Sequence, residues 1–288
     1  MTMRQATSTY RPDRGHWVGD GFPVRQLFDY GDGARARSPF LMLDYAGPYD
    51  FTPSQRHRGV DTHPHKGFET VTVVYDGEVS HRDSAGSGGT IGPGDVQWMT
   101  AGSGVLHDEF HSDRFTREGG RFEMVQLWVN LPARDKGVAP RYQSIGASAI
   151  PTVSLPDGAG HLRVIAGDYR GTTGPAQTFT PLNLWDVRIE AGGRVTLPIP
   201  AGHQAMIAVL DGGVRVAGVD CDNGTLVMLG RDGTGVEIEA AAAGKLLVMT
   251  GEPIDEPVVG RGPFVMNTEA EIRQAWADYQ AGRFGRIG

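Results

Sequence analysis

The pattern of apolar positions along the chain predicts β-strands rather than helices over most of its length. Short runs rich in β-branched and aromatic residues are bounded by glycine, proline and aspartate, and these are typical of strands separated by turns. The clearest runs are residues 39–45, 68–75 and 124–131. An Asp76-Gly77 pair after the second run indicates a hairpin turn.

Helical periodicity is nearly absent until the end of the chain. Thr268 followed three residues later by Glu271 forms an N-cap pattern, and Ile272 and Trp276 then recur at helical spacing. The sequence therefore predicts one C-terminal α-helix that packs on a sheet.

The second half of the chain repeats the first half in outline. The segment at residues 74–79 (VYDGEV) recurs as VLDGGV 135 residues later, and residues 102–105 (GSGV) recur as GTGV 131 residues later. A stretch rich in proline, glycine and charge, residues 131–144, separates the two halves. We expect two tandem copies of one β-module, forming domains 1–135 and 136–288.

Composition narrows the class of protein. Glycine accounts for 42 of 288 residues without a collagen period, which suits a turn-rich β protein. The 27 basic and 34 acidic residues give a net charge of −7, which argues against direct nucleic-acid binding. Cys221 is the only cysteine, which excludes an internal disulfide and a multi-thiolate metal site. No apolar run approaches the about 18 residues of a membrane-spanning helix, so we expect a cytoplasmic protein without membrane contact.

Histidines in the first half have the spacing of metal ligands. His63 and His65 are two residues apart, so on a strand they share a face, and Glu69 has the same parity. His107 and Glu109 repeat this two-residue spacing after a glycine-rich turn. Three imidazoles with a carboxylate suit Fe, Mn, Ni, Cu or Zn. Histidine alone is not decisive, because His57, His81, His111, His161 and His203 lie outside this pattern.

The internal repeat strengthens the prediction of a metal site, because the candidate ligands are absent from the second copy. At the two offsets, His63 and His65 fall on Pro198 and Pro200, Glu69 on Gln204, His107 on Ile238, and Glu109 on Ala240. The turns and the apolar framework recur, whereas the ligand types do not. We therefore expect the ligand set to serve the first copy alone.

The segments 63–72, 81–84 and 92–104 resemble the pirin family, and the most specific motifs lie between residues 59 and 110. The resemblance implies an all-β bicupin, with two tandem cupin β-sandwich barrels and a short C-terminal α-helix. It further implies that the N-terminal domain holds Fe(II) through His63, His65, His107 and Glu109, while the C-terminal domain has no metal ligands. Mn, Ni, Cu and Zn are the alternative metals.

The position of the carboxylate ligand is open on spacing alone. Glu69 occupies the place where cupins usually carry this ligand, whereas the resemblance to pirins assigns it to Glu109. We expect Glu109 to be a ligand and catalytic residue, with Glu69 as the alternate ligand or base. Phe68, Trp98 and Met99 lie close in sequence to the ligands and are the expected walls of a substrate pocket.

The resemblance implies an oxidoreductase of the quercetin 2,3-dioxygenase type, which cleaves a flavonol-like aromatic substrate with O₂. The alternative interpretation is a non-enzymatic, iron-dependent redox sensor that regulates a protein partner. The net charge does not favour DNA as that partner.

Overall fold

The computed structural model describes residues 1–31 and 33–288. In chain order, the first fourteen strands are β1 (Ala6–Tyr10), β2 (His16–Val18), β3 (Phe22–Phe28), β4 (Phe40–Phe51), β5 (Gly59–His65), β6 (Phe68–Asp76), β7 (Val79–Asp83), β8 (Gly88–Ile91), β9 (Val96–Thr100), β10 (Val105–His111), β11 (Gly120–Asn130), β12 (Arg141–Ile145), β13 (Thr152–Ser154) and β14 (Gly160–Ala166). The remaining strands are β15 (Asp168–Tyr169), β16 (Thr172–Thr173), β17 (Leu182–Ile189), β18 (Arg194–Pro198), β19 (Gln204–Asp211), β20 (Val214–Val216), β21 (Val219–Cys221), β22 (Thr225–Leu229), β23 (Gly235–Ala240), β24 (Gly244–Gly251), β25 (Val259–Arg261) and β26 (Phe264–Met266).

Helices are few. They are α1 (Ala34–Arg37), α2 (Asp113–Glu118) and α3 (Glu269–Gln280), with 3₁₀ turns at Ala133–Asp135, Ala147–Ala149 and Pro156–Gly158. The predicted C-terminal helix is α3, and the Thr268 hydroxyl caps it by accepting a hydrogen bond from the Glu271 backbone N–H at 3.2 Å. The sequence pattern did not predict α1 and α2, because segments of four and six residues are too short to show a helical period.

The described chain divides into two compact units that are not continuous in sequence. The unit called here the N-terminal barrel comprises Arg14–Arg35, Phe40–Ala147 and Ile254–Gly288. The C-terminal barrel comprises Met1–Asp13, Ala36–Pro39 and Ser148–Pro253. These units differ from the predicted domains 1–135 and 136–288. The reasons are strand pairings: β12 pairs with β9, so the first unit extends to Ala147, and the N-terminal strand β1 pairs with β22.

Each unit pairs a seven-stranded sheet with a four-stranded antiparallel sheet, which confirms the predicted pair of β-sandwich barrels. In the N-terminal barrel the strand orders are β12-β9-β6-β11-β4-β3-β2 and β5-β10-β7-β8. In the C-terminal barrel they are β1-β22-β19-β24-β17-β14-β13 and β18-β23-β20-β21. The hairpins β25-β26 and β15-β16 add to the first and second unit respectively.

The two barrels differ in what fills them. The C-terminal barrel contains one large aliphatic cluster that includes Val195, Val209 and Ile238. The N-terminal barrel has an aromatic-rich cluster around Phe22, Phe122 and Met124 at one part of its interior. Another part of that interior carries buried polar side chains from β6, β7, β9 and β10, and the candidate site lies there.

Candidate metal centre

Antiparallel pairing of β5 with β10 brings the two histidine motifs together. His107 lies directly opposite His63 in this ladder, and Val105 lies opposite His65. One ring nitrogen from each of His63, His65 and His107 lies within 4.8 Å of the others. The ring centroids of His63 and His65 are 4.2 and 4.7 Å from that of His107. The ladder thus places three imidazoles around one point.

The remaining ring nitrogens of the β5 histidines are held by backbone carbonyls. His63 Nδ1 lies 2.9 Å from the Asp61 carbonyl oxygen, and His65 Nδ1 lies 3.4 Å from that of Pro263. A neutral ring that donates through Nδ1 keeps an unprotonated Nε2, which is the usual arrangement of a metal-bound histidine. Both rings are therefore oriented to offer Nε2.

The surroundings of His107 are the strongest evidence for a metal ligand. Its Nε2 is buried and has no hydrogen-bond partner among the described residues. Burial, together with the neighbouring histidines, holds the pKa of His65 and that of His107 well below the usual range, so both rings are neutral. A buried lone pair without a donor is costly unless a cation completes it. This donor set fits a first-row metal ion.

Glu109 is held in place by two amides. Gln97 Nε2 donates to Glu109 Oε1 at 2.7 Å, and Gln126 Nε2 donates to Oε2 at 2.9 Å. Glu109 groups with His81 and His107 within 4.8 Å, in a second set that shares His107 with the first. The β5–β10 register shifts between His107 and Glu109, so that Glu109 lies opposite Val60 on β5. On the other side, Glu109 lies opposite His81 on β7. The predicted ligands thus fall into two overlapping groups.

The structure does not bring Glu69 to either group. Its carboxylate accepts a hydrogen bond from Thr100 Oγ1 at 2.7 Å, on the sheet face opposite to Thr72 and Gln97. Burial raises the pKa of Glu69 to about 7. The expected shared parity with His63 and His65 fails because β5 ends at His65 and β6 begins at Phe68.

The break between β5 and β6 requires a glycine. Gly67 has a φ of +88°, and a Cβ there would lie 2.0 Å from the Val265 carbonyl oxygen. Lys136 fixes the same place, because its buried ammonium donates to the carbonyl oxygens of Gly67 at 2.6 Å and Val265 at 3.0 Å. The C-terminal segment is thereby held beside His65, where Pro263 meets the ring.

The three expected pocket residues are all fully buried, and they lie in different places. Phe68 packs beside the His65 ring at a centroid distance of 5.1 Å. Met99 is on the same face of β9 as Gln97 and packs with Val105. Trp98 is on the other face, with Glu69, so the structure does not bring it to the histidine cluster.

Sequence reasoning missed several residues that surround the cluster. His81 and Asp83 come from β7, Gln97 from β9, Gln126 from β11 and Tyr142 from β12. The Tyr142 ring stacks on His81 at 4.9 Å, and its hydroxyl donates to Gln97 Oε1 at 3.3 Å. The two-residue spacing of His81 and Asp83 was the available signal, and it gains meaning only once β7 is known to pair with β10.

Among the described residues, no helix combines the length and the apolar character that crossing a membrane would need.

Comparisons with known proteins agree with this architecture. The family model Pirin matches residues 21–129, and the model for the Pirin C-terminal cupin domain matches residues 184–285. A Pseudomonas aeruginosa protein named "putative quercetin 2,3-dioxygenase" is 54% identical over 99% of both chains. A pirin-like protein of Caulobacter vibrioides is 42% identical, over 92% of this chain and 90% of its own.

A solved structure shows the same fold over the whole chain. The crystal structure of a quercetin 2,3-dioxygenase from Acinetobacter baumannii has 51% sequence identity, covers 100% of both chains and superposes with a TM-score of 0.97. The matches to both family models, together with these relatives, confirm the resemblance that the motifs predicted. This chain belongs to the pirin family and is a bicupin whose N-terminal barrel carries a histidine cluster able to hold a metal ion.

Proposed function

We propose that this protein is a metal-dependent dioxygenase that cleaves flavonols such as quercetin with O₂. The metal is Fe(II), held in the N-terminal barrel by His63, His65 and His107 with Glu109 as the carboxylate. The single cysteine of the sequence suits a reducing compartment, and we place the protein in the cytoplasm.

The observation that carries the proposal is the convergence of three imidazoles on one point. Their ring nitrogens lie within 4.8 Å of one another, and the His107 Nε2 is buried without a partner among the described residues. Three imidazoles and a carboxylate leave positions open in an octahedral shell. The names of the relatives in Pseudomonas and Acinetobacter support flavonol cleavage as the reaction.

The bound metal would lower the pKa of a coordinated hydroxyl group and pass electron density between an electron-rich substrate and dioxygen. Glu109 is the base that accepts the proton of the substrate hydroxyl. Two amides fix its carboxylate, so it meets the substrate in one orientation. Phe68 packs beside His65 and offers an aromatic surface next to the proposed metal ligands.

Anaerobic loading with Fe(II), followed by addition of quercetin and oxygen, tests the proposal. We expect the near-visible band of the flavonol to bleach and carbon monoxide to be released in proportion to the substrate consumed. A fully loaded protein that leaves the spectra of several flavonols unchanged would favour the redox-sensing regulator instead.

The variant His65→Ala removes one imidazole and is expected to abolish both stoichiometric metal binding and turnover. His161→Ala, in the C-terminal barrel, is the matched control, and we expect it to retain both. Stoichiometric metal in His65→Ala would contradict the site.

A further inference from the structure

A buried hydrogen-bonded chain runs from Asp83 through His81 to His107. His81 Nε2 lies 3.2 Å from Asp83 Oδ2, and His81 Nδ1 lies 3.3 Å from His107 Nδ1. The three residues are 6%, 1% and 1% exposed. They come from neighbouring strands, because Asp83 lies opposite His107 in the β7–β10 ladder.

We propose that Asp83 and His81 are positioning residues that set the tautomer of His107 and so keep its Nε2 free for the metal. This inference rests on the metal site of the proposed function. It assigns no direct contact with metal or substrate to His81 or Asp83.

The direction of donation along these hydrogen bonds follows from the carboxylate of Asp83. An ionised carboxylate only accepts hydrogen bonds, so His81 must donate to Asp83 through Nε2. With its ring proton on Nε2, His81 presents an acceptor at Nδ1, and His107 donates to it through its own Nδ1. The proton on His107 is thereby fixed at Nδ1, and Nε2, which has no partner among the described residues, carries the lone pair.

The surroundings fix both ends of this chain. Asp83 Oδ1 accepts hydrogen bonds from the backbone N–H groups of Ala85 and Ser87, each at 2.9 Å, which leaves Oδ2 for His81. The His81 ring stacks on Tyr142 with an interplanar angle of 5°. A carboxylate behind a histidine is a common way to orient a metal ligand, and here the effect passes through one additional ring.

The second group of possible ligands, His81 with His107 and Glu109, offers a competing role for His81. Both ring nitrogens of His81 already have partners, whereas His107 Nε2 has none among the described residues. The C-terminal barrel favours the positioning role as well. By ladder register its counterparts of His81 and Asp83 are Val214 and Val216, so these polar residues are absent where the ligands are absent.

The substitution Asp83→Asn tests the proposal, because it can reverse the direction of donation in both hydrogen bonds. The asparagine oxygen can still accept from Ala85 and Ser87, which turns the amide N–H₂ toward His81. His81 must then accept at Nε2 and donate through Nδ1, and His107 must carry its proton on Nε2. We expect ¹H–¹⁵N NMR of the metal-free full-length protein to show His107 protonated at Nδ1 in the wild type and at Nε2 in Asp83→Asn. We expect Zn²⁺ affinity, measured by chelator competition, to fall about 10- to 100-fold.

Two further variants separate this role from simple structural support. Asp95→Asn is the matched control, since Asp95 also accepts two backbone N–H groups, those of Gly92 and Ala147. It should change neither the tautomer nor the affinity. His81→Asn keeps an acceptor near the place of Nδ1 and should bind Zn²⁺ within a few-fold of wild type, whereas His81→Leu should lose about 10- to 100-fold.

A wild-type His107 protonated at Nε2, or an Asp83→Asn protein with unchanged tautomer and affinity, would overturn the proposal. Loss of Zn²⁺ binding in His81→Asn as severe as in His81→Leu would make His81 a ligand instead. The tautomer is read in the metal-free protein, so it remains informative if flavonol cleavage fails.

Discussion

The two barrels each contain a four-stranded sheet of the same strand order, but its inner positions are polar in the N-terminal barrel and aliphatic in the C-terminal barrel. β10 lies between β5 and β7, and β23 lies between β18 and β20 in the same order. In the first ladder, His107 lies opposite His63 and Asp83, and Glu109 lies opposite His81. In the second, Ile238 lies opposite Val195 and Val216, and Ala240 lies opposite Val214. The ladder register also corrects the sequence alignment, because the counterpart of His63 is Val195 rather than Pro198.

The seven-stranded sheets of the two barrels show the same contrast between polar and aliphatic residues. Thr72 lies opposite Gln97 and Gln126, whereas its counterpart Ile207 lies opposite Val227 and Val248. The aliphatic set belongs to a continuous core cluster. The fold therefore forms without any of these polar residues. Because buried polar groups lower stability unless they are fully paired, the polar interior of the N-terminal barrel is best explained by the site it builds.

The comparison predicts its largest effect for His107→Ile, which inserts the residue that the C-terminal barrel holds at the same ladder position. The variant removes the shared member of both ligand groups. We expect metal affinity to fall about 1000-fold, since about one third of the imidazole ligation is lost. Metal content by mass spectrometry and affinity by chelator competition measure this. Isoleucine fits the same ladder in the second barrel, so the variant should remain folded, and retained stoichiometric metal would contradict the site.

The reverse exchange, Ile238→His, should instead reduce stability. Ile238 is fully buried in the aliphatic cluster, and an imidazole there has no polar side chain from the opposite residues Val195 and Val216. We expect the free energy of unfolding to fall by about 3 to 4 kcal/mol, from lost apolar burial and an unpaired ring nitrogen. Urea denaturation measures this, with Ile238→Val as the control. A loss as small as that of the control would show that this interior accommodates a histidine without the polar residues of the first barrel.

The comparison of the two barrels also shows which parts of the fold and of the site could be predicted from the sequence. Turn signals and β-branched runs predicted the strands, because those signals are local. The internal repeat predicted two tandem modules, and the resemblance to pirins implied that they are cupin barrels. The two-residue spacing of His63 and His65 predicted a shared face within one strand, and the structure has it. The alternation of side-chain faces does not continue from His65 to Glu69, because the turn at Gly67 separates the two strands. His81 and Asp83 depend on the pairing of β7 with β10, and Pro263 depends on the return of the C-terminal segment. Those contacts are long-range and leave no local pattern.

Glu69 offers a smaller effect that depends on pH. The folded-state pKa of about 7 is above the ordinary value of 4.5, so between these pH values the folded state binds more protons than the unfolded state. Stability therefore falls as the pH rises through this window. Glu69→Gln, which inserts the residue found at the equivalent position Gln204, should remove this fall and gain up to about 3 kcal/mol at pH 8 relative to wild type. Unfolding free energies at pH 4.5 and pH 8 measure it. The exposed Glu118→Gln is the control, and an equal pH dependence in Glu69→Gln and wild type would disprove the effect.

The smallest predicted effect concerns which of the two carboxylates serves the metal. Glu109→Gln removes the negative charge beside His107 and places a third amide against the Gln97 and Gln126 donors. We expect metal affinity to weaken about tenfold, because a neutral amide is a poorer ligand and only one of its two terminal atoms accepts hydrogen bonds. Glu69→Gln should leave the affinity within about twofold of wild type, since Glu69 lies on the other sheet face and bonds Thr100. Chelator competition with Fe²⁺ and Zn²⁺ on both variants makes the comparison. A larger loss in Glu69→Gln than in Glu109→Gln would mean that Glu69 reaches the metal, and the face assigned to it in the β6–β9 ladder would then have to differ in the loaded protein.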